Sequence, residues 1–175
     1  VMLRRHFLLT VAMLGAGAQA AAQGLSSKFD PRRDAVADVA HAVAQAAAEG
    51  KRVLVDVGGE WCAWCHILDR FIAAHDDVRS LIEAEFVWVK VNFSPANRNE
   101  RLLSTWPPIP GYPHLFVLDT TGRVVRSQPT AQLERGNGYD EAKVMVFLHE
   151  SRAPARARST SQPPLPVHAA QIIAS

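Results

Sequence analysis

The 175-residue chain has little cysteine, no apolar run of membrane-spanning length and no excess of charge of one sign. Two cysteines are too few for a disulfide scaffold, and 48% hydrophobic residues supply enough apolar material for an ordinary core. Of the 19 Lys and Arg residues, two lie within the first 22 positions, so 17 remain to balance 17 Asp and Glu. That balance excludes the basic stripe typical of nucleic-acid binding and the acidic run typical of a solvating tail.

Residues 1–22 predict an export signal. Arg4 and Arg5 precede an uncharged apolar stretch at 7–18, and small residues follow at the spacing that a signal peptidase reads. The stretch is shorter than the ~20 residues that cross a bilayer, so cleavage is the favoured interpretation and an uncleaved anchor is the alternative. We therefore expect a periplasmic or secreted protein with no membrane contact beyond this signal.

The arginine pair leaves the export route open. The run Arg4-Arg5-His6-Phe7-Leu8 resembles the twin-arginine signal, which carries folded proteins, although the usual flanking polar residues are absent. Two ordinary arginines of a signal peptide are the other interpretation. Export leads to an oxidising compartment, where an isolated pair of cysteines has a redox role or binds a metal.

Hydrophobic periodicity and turn residues predict one α/β domain at residues 23–150 and a disordered tail at 151–175. Asp30-Pro31 is expected to start the first helix and Gly50 to end it. The elements expected after it are a strand at 52–57, helices at 62–74 and 77–85, a strand at 86–92, a helix at 97–105, a hairpin of strands at 115–118 and 123–127, and a helix at 139–150. This order predicts a central mixed β-sheet with helices on both faces, and it places Cys62 at the carboxyl end of a central strand.

Cys62 and Cys65 are separated by two residues at the predicted junction of a strand and a helix. Thiols at this spacing can close a small disulfide ring and reopen it, and a helix start favours the thiolate form of the first cysteine. A purely structural disulfide is the alternative, but so short a loop removes little chain entropy. The pair therefore predicts thiol–disulfide chemistry.

Four landmarks surround this pair in a fixed order. They are Asp56 six positions before the first cysteine, Trp-Cys-Ala-Trp-Cys at 61–65, Lys90 on the following strand, and Gly-Tyr-Pro at 111–113 before the hairpin. With them, the region from about residue 34 to 150 resembles the thioredoxin-like superfamily, in particular its exported thiol:disulfide interchange members. The resemblance implies a thioredoxin-like fold, an oxidoreductase acting on protein substrates, and no dissociable cofactor. Trp64 in place of the usual proline, and His66 after the second cysteine, leave the redox potential and the substrate open.

The resemblance also implies roles for the central residues. Cys62 is expected to attack, and Cys65 to resolve the mixed disulfide. Asp56 is a carboxylate in an otherwise apolar strand, and burial raises the pKa of such a group toward neutrality. We expect it to move a proton to or from Cys65 through water, with Lys90 as a partner that limits the rise. A structural role in binding backbone amides is the alternative for Asp56.

A second group of residues is expected to surround the pair. Pro113 is expected to be cis, because this family uses that bend to bring backbone groups beside the cysteines, where an extended substrate can pair. The expected substrate-binding residues are Trp61, Trp64, Tyr112 and Pro113, although the tryptophans could instead pack the domain edge. His66 and His114 are expected to support the site, since an imidazolium near Cys62 stabilises a thiolate.

Two other functions use the same motif. Residues 62–66 also match the covalent haem attachment pattern CxxCH, but no methionine stands in a convincing position for an axial ligand. Cys62 and Cys65 with one histidine could bind copper or zinc. The favoured prediction remains a monomeric thiol–disulfide oxidoreductase that meets protein thiols or disulfides and a separate redox partner that recycles its cysteines.

Overall fold

The computed structural model describes residues 28–154, so the predicted signal peptide and residues 155–175 of the predicted tail lie outside the described residues. The helices are α1 (Ala35–Glu49), α2 (Ala63–Ala74), α3 (Asp76–Glu85), α4 (Glu100–Leu103) and α5 (Glu141–Ser151). The strands are β1 (Arg52–Gly58), β2 (Phe86–Asn92), β3 (His114–Leu118), β4 (Val124–Pro129), β5 (Glu134–Arg135) and β6 (Gly138–Tyr139).

The main sheet has four strands in the order β2-β1-β3-β4. β1 pairs parallel with β2 and antiparallel with β3, and β3 pairs antiparallel with β4. β1 suits a central position because its residues 53–58 are all buried, as expected for a strand covered on both faces. The predicted mixed sheet is therefore confirmed, and the chain leaves the centre of the sheet directly into the two cysteines.

Helices cover both faces of this sheet, as predicted. Alternate residues of β1 face opposite sides: Val53, Val55 and Val57 pack with α1, whereas Leu54 packs with α2, α3 and α5. Each face therefore has its own apolar core, and the residue facing α2 after Leu54 is the charged Asp56.

The start of α1 differs from the prediction. Asp34 is the N-cap, and its side chain accepts hydrogen bonds from the backbone N–H groups of Val36 and Ala37. Asp30 instead accepts hydrogen bonds from Arg32 in the preceding turn. Both positions carry an aspartate, and helix-start rules alone do not separate them; packing of the face that begins at Ala35 decides between them.

Three further segments depart from the prediction. The helix expected at 97–105 shortens to Glu100–Leu103 and follows Asn99, which is left-handed at φ 47°. A 3-10 turn at Thr130–Leu133 and the β5–β6 pair were not predicted, because two-residue strands carry no readable periodicity. α5 includes Ser151, and Ala153 is buried, so ordered structure continues past the predicted tail boundary.

Within residues 28–154, no helix combines the length and the apolar character needed to cross a bilayer.

Candidate active site

The two cysteines lie at the start of α2 and form a disulfide. Cys62 is the N-cap residue, and its Sγ accepts a hydrogen bond from the Cys65 backbone N–H at 3.1 Å. The helix start thus directs unpaired amide groups and the positive end of the helix dipole at the first sulfur. Cys62 is 4% exposed and Cys65 is 0% exposed. Cys62 is therefore the more accessible of the two cysteines, although both are buried.

Two backbone hydrogen bonds fix the loop before α2, one from the residue that follows β2 and one within the loop. The Phe93 N–H donates to the Gly58 carbonyl at 2.6 Å, and the Cys62 N–H donates to the Gly59 carbonyl at 2.9 Å. Gly58 cannot carry a side chain, because a Cβ there would overlap Cys65 Sγ. The close approach of this strand to the disulfide therefore requires glycine.

Asp56 lies on the disulfide side of the sheet. It is two residues before Gly58, so both face the same side of β1, about 7 Å apart. Lys90 is its direct partner on β2, and Lys90 Nζ donates to Asp56 Oδ2 at 2.7 Å. Both side chains are almost completely buried, at 1% exposure for Lys90 and 0% for Asp56. The structure thus pairs Asp56 with Lys90 on the side of the sheet that carries the disulfide.

Burial raises the pKa of Asp56 to about 6, and the neighbouring Lys90 ammonium limits that rise. Among the described residues, Asp56 Oδ1 has no hydrogen-bond partner. One carboxylate oxygen is therefore paired with a cation, and the other has a free lone pair. A carboxyl group with this pKa can take up and release a proton near neutral pH.

Asp69 completes the charged cluster, and the sequence analysis missed it. Its Oδ1 lies 2.8 Å from Lys90 Nζ, and its side chain is 23% exposed. Lys90 therefore bridges a fully buried carboxylate and one that reaches solvent. The available signal was helical spacing, because Asp69 follows Cys65 by four residues and so lies on the same face of α2.

Phe29 was also missed. It lies in the segment before α1, it is 1% exposed, and it packs against both cysteines. Its ring centroid is 3.9 Å from Lys90 Nζ. A single aromatic residue 33 positions before the first cysteine, outside any predicted element, gives no sequence signal for this contact.

The Tyr112–Pro113 peptide bond is cis, as the resemblance implied. The Thr130 hydroxyl donates to the Pro113 carbonyl at 2.6 Å and so ties the bend to the 3-10 turn. Trp61 is 56% exposed; its Nε1 donates to the Phe93 carbonyl at 2.7 Å, and its ring meets Tyr112 edge-on at 5.5 Å. These contacts hold an exposed aromatic ring beside the first cysteine.

Trp64 does not continue that aromatic surface. It is partly buried, packs against the cysteine pair, and meets the Tyr139 ring edge-on at 5.8 Å. The Trp61 ring is therefore exposed, whereas the Trp64 ring is anchored in the domain.

The two histidines have different surroundings. His66 Nε2 donates to the Glu60 carbonyl at 2.9 Å, so His66 lies beside the loop that carries Cys62. His114 pairs with Val57 and faces the α1 side of the sheet, opposite to the disulfide. Its Nε2 is 2.8 Å from Ser127 Oγ, and burial lowers its pKa to about 4. The expectation that His114 stabilises a thiolate is wrong, because it is neutral at pH 7 and lies on the other face.

The haem and metal alternatives both require free cysteine sulfurs, and here both sulfurs form the disulfide. Among residues 28–154, no three His, Cys, Asp or Glu side chains are grouped as ligands for a metal ion.

Comparisons with known proteins found a matching family profile and similar solved structures. A family profile described as thioredoxin-like matches residues 34–120. A disulphide isomerase from Xylella fastidiosa Temecula1 is 25% identical with a TM-score of 0.61, over 70% of this chain and 94% of that chain. A DsbH oxidoreductase is 17% identical with a TM-score of 0.49, over 81% and 94%. The oxidised C-terminal domain of DsbD from Neisseria meningitidis is 18% identical with a TM-score of 0.48, over 71% and 99%. No curated protein sequence matches the chain.

A cysteine pair closed as a disulfide at the carboxyl end of a central strand, next to a cis-proline, defines a thiol–disulfide oxidoreductase. The matched profile covers the helix, strands and cysteine motif that build this site. The chain belongs to the thioredoxin-like superfamily.

Proposed function

We propose that the protein is an exported enzyme that exchanges disulfides with protein substrates through a mixed disulfide at Cys62. The observation that carries this proposal is the Cys62–Cys65 disulfide at a helix start, on the same side of the sheet as a buried carboxylate. The predicted export signal at 1–22 supports the oxidising location. The 25% identical structure described as a disulphide isomerase supports protein disulfides as the substrate class.

Cys62 is the attacking sulfur in this proposal, because it is the N-cap residue and the more exposed of the two. In the reducing direction its thiolate attacks a substrate disulfide. A bond forms between Cys62 Sγ and one substrate sulfur, and the substrate disulfide breaks to release the other sulfur as a thiolate.

Cys65 then resolves the mixed disulfide. Its thiol gives up a proton, its sulfur attacks Cys62 Sγ, and the second substrate thiolate leaves as the Cys62–Cys65 disulfide forms. Asp56 receives the Cys65 proton through water, since its Oδ1 is free and its pKa is about 6. In the oxidising direction the same steps run in reverse. A separate redox partner restores the starting state of the pair.

The substrate surface in this proposal lies around Trp61, Tyr112 and Pro113. The Trp61 ring is exposed and held by two contacts, so it offers apolar area at little entropic cost. The cis bend before β3 presents backbone groups for pairing with an extended substrate segment. Trp64 supports the pair from the buried side, through its contact with Tyr139.

The test is a pair of cysteine variants assayed by insulin reduction with a chemical electron donor. Cys62→Ser removes the attacking sulfur and is expected to abolish turnover. Cys65→Ser keeps the attack and removes resolution, so it is expected to accumulate mixed disulfides with client proteins, visible on non-reducing gels. Ala63→Ser, between the two cysteines, is the matched control and should retain activity. Undiminished activity in both cysteine variants would contradict the assigned roles.

A further inference from the structure

We infer that Phe29 is a positioning residue for the exchange reaction: it seals the buried side of the Cys62–Cys65 disulfide and holds Lys90 against the Asp56 carboxylate. Phe29 belongs to a short segment, residues 28–33, which we call the strap because it crosses the active-site loop before α1 begins. The inference rests on the proposed function and adds a residue outside the cysteine motif.

The Phe29 ring fills the space beneath the disulfide. It is 1% exposed and forms one apolar cluster with Cys62 and Cys65. A Cβ placed on Gly58 would lie 3.0 Å from Phe29 Cζ and would also overlap Cys65 Sγ. The ring, the glycine and the buried sulfur therefore meet at one point, with no room for water between them.

The same ring covers Lys90. Lys90 Nζ lies 3.9 Å from the ring centroid and is paired with Asp56 and Asp69 at 2.7 and 2.8 Å. The two carboxylates and the electron-rich face of the ring together replace the hydration of the ammonium group. Phe29 thus keeps solvent from the Asp56–Lys90 pair and orients the lysine.

The strap is tied at two places. The Phe29 N–H donates to Glu60 Oε1 at 2.7 Å, and Asn97 Nδ2 donates to the Pro31 carbonyl at 2.9 Å. Glu60 lies two residues before Cys62, and its carbonyl accepts the hydrogen bond from His66. The position of the ring is therefore fixed by the loop that carries the attacking cysteine.

The Phe29 ring affects the surroundings in which Asp56 takes up a proton. The groups that face Asp56 are Lys90 from β2, Cys65 and Asp69 from α2, Tyr139 from β6, and the apolar Leu115 opposite it on β3. Desolvation is the largest cause of the raised Asp56 pKa. Water admitted through the space of the Phe29 ring would remove part of that desolvation, and it would expose the buried sulfur of the reduced enzyme to solvent reagents.

Phe29→Ala tests this directly. We expect the acid limb of the pH–rate profile of exchange to move to lower pH by about one unit. We also expect alkylation of Cys65 in the reduced protein to become about tenfold faster, since reactivity follows access as well as thiolate content. Phe29→Leu keeps apolar bulk and is expected to give smaller changes of the same sign. Glu60→Ala unties the strap without altering the ring, and it should also move the profile to lower pH.

Phe147→Ala is the matched control. Phe147 is 2% exposed, lies in α5, and has the Arg126 guanidinium 5.0 Å from its ring centroid, but it does not belong to the cysteine cluster. Its loss should lower stability and leave the profile in place. An unshifted profile in Phe29→Leu and Glu60→Ala, or an equal shift in Phe147→Ala, would overturn the inference. Absence of exchange activity in the wild-type protein would instead refute the proposed function.

Discussion

Two titratable side chains are buried on neighbouring strands of the sheet, and they face opposite sides. Asp56 on β1 faces α2 and the disulfide, whereas His114, which pairs with the next residue of β1, faces α1. Both are 0% exposed. Burial raises the pKa of Asp56 to about 6 and lowers that of His114 to about 4. In each case the neutral form is favoured, as desolvation requires.

The difference between them is the counter-charge. Asp56 has the Lys90 ammonium at 2.7 Å, whereas the described partner of the His114 ring is a neutral hydroxyl, Ser127. The cation keeps the carboxyl group titrating near neutral pH instead of remaining protonated. In this site the charged neighbour offsets part of the desolvation, so Asp56 can carry a proton near neutral pH.

Removal of Lys90, which supplies the counter-charge to Asp56, should change the exchange profile and the free energy of unfolding most. Lys90→Met leaves Asp56 buried without a cation, so its pKa rises further and the acid limb of the exchange profile moves to higher pH. Because a buried ion pair has lost one partner, we expect the free energy of unfolding to fall by about 3 kcal/mol. Denaturant unfolding and the pH–rate profile measure the two effects. Lys51→Met is the control, since the partly exposed Lys51–Glu49 pair should contribute less than about 1 kcal/mol. Equal losses in both variants would contradict the role of Lys90.

Replacement of the carboxylate separates activity from stability. Asp56→Asn removes the proton acceptor, and we expect exchange at pH 7 to slow by about 100-fold. A raised folded-state pKa contributes stability below the unfolded pKa and loses it as pH rises through about 6. As pH rises from about 4 to above 6, the wild-type protein should therefore lose up to about 3 kcal/mol of unfolding free energy that the variant does not lose. Chemical denaturation across this range checks the sign.

Asp69→Asn provides the matched carboxylate control for Asp56→Asn. Asp69 contacts the same lysine but is partly exposed, so its loss should change the exchange rate much less. If both variants slow the reaction equally, the proton role cannot be assigned to Asp56 alone.

The smallest effect on exchange is expected from a substitution of His114, which lies on the α1 face of the sheet. His114→Gln should leave the exchange rate and its pH profile unchanged, because the side chain faces away from the disulfide. The lowered pKa of His114 contributes stability above about pH 6.5, which is lost as pH falls toward about 4. Gln has no such titration, so the wild-type protein should lose more stability than the variant over this range. A changed exchange profile in His114→Gln would contradict the separation of the two faces.

Much of the fold was readable from local patterns. The apolar run of β1, the strand at 86–92 and the helix ending at Ala74 matched prediction, because each has a clear period and clear end signals. The short elements at 130–139 were not readable, since they contain too few residues for any period. The choice of Asp34 over Asp30 as the first N-cap also required the packed structure.

The sequence alone determined the reaction class. The spacing of the two cysteines and the apolar strand before them placed two sulfurs at a helix start, because these signals act over a few residues. Only the tertiary structure decided which side chains surround them. Phe29 and Asp69 come from separate segments, and both contact the Lys90 ammonium group that is paired with the buried Asp56 carboxylate. His114, two residues from the Tyr112 that contacts Trp61, is turned away by the alternation of the strand. Contacts between distant segments depend on how the sheet and helices pack, and no local pattern records them.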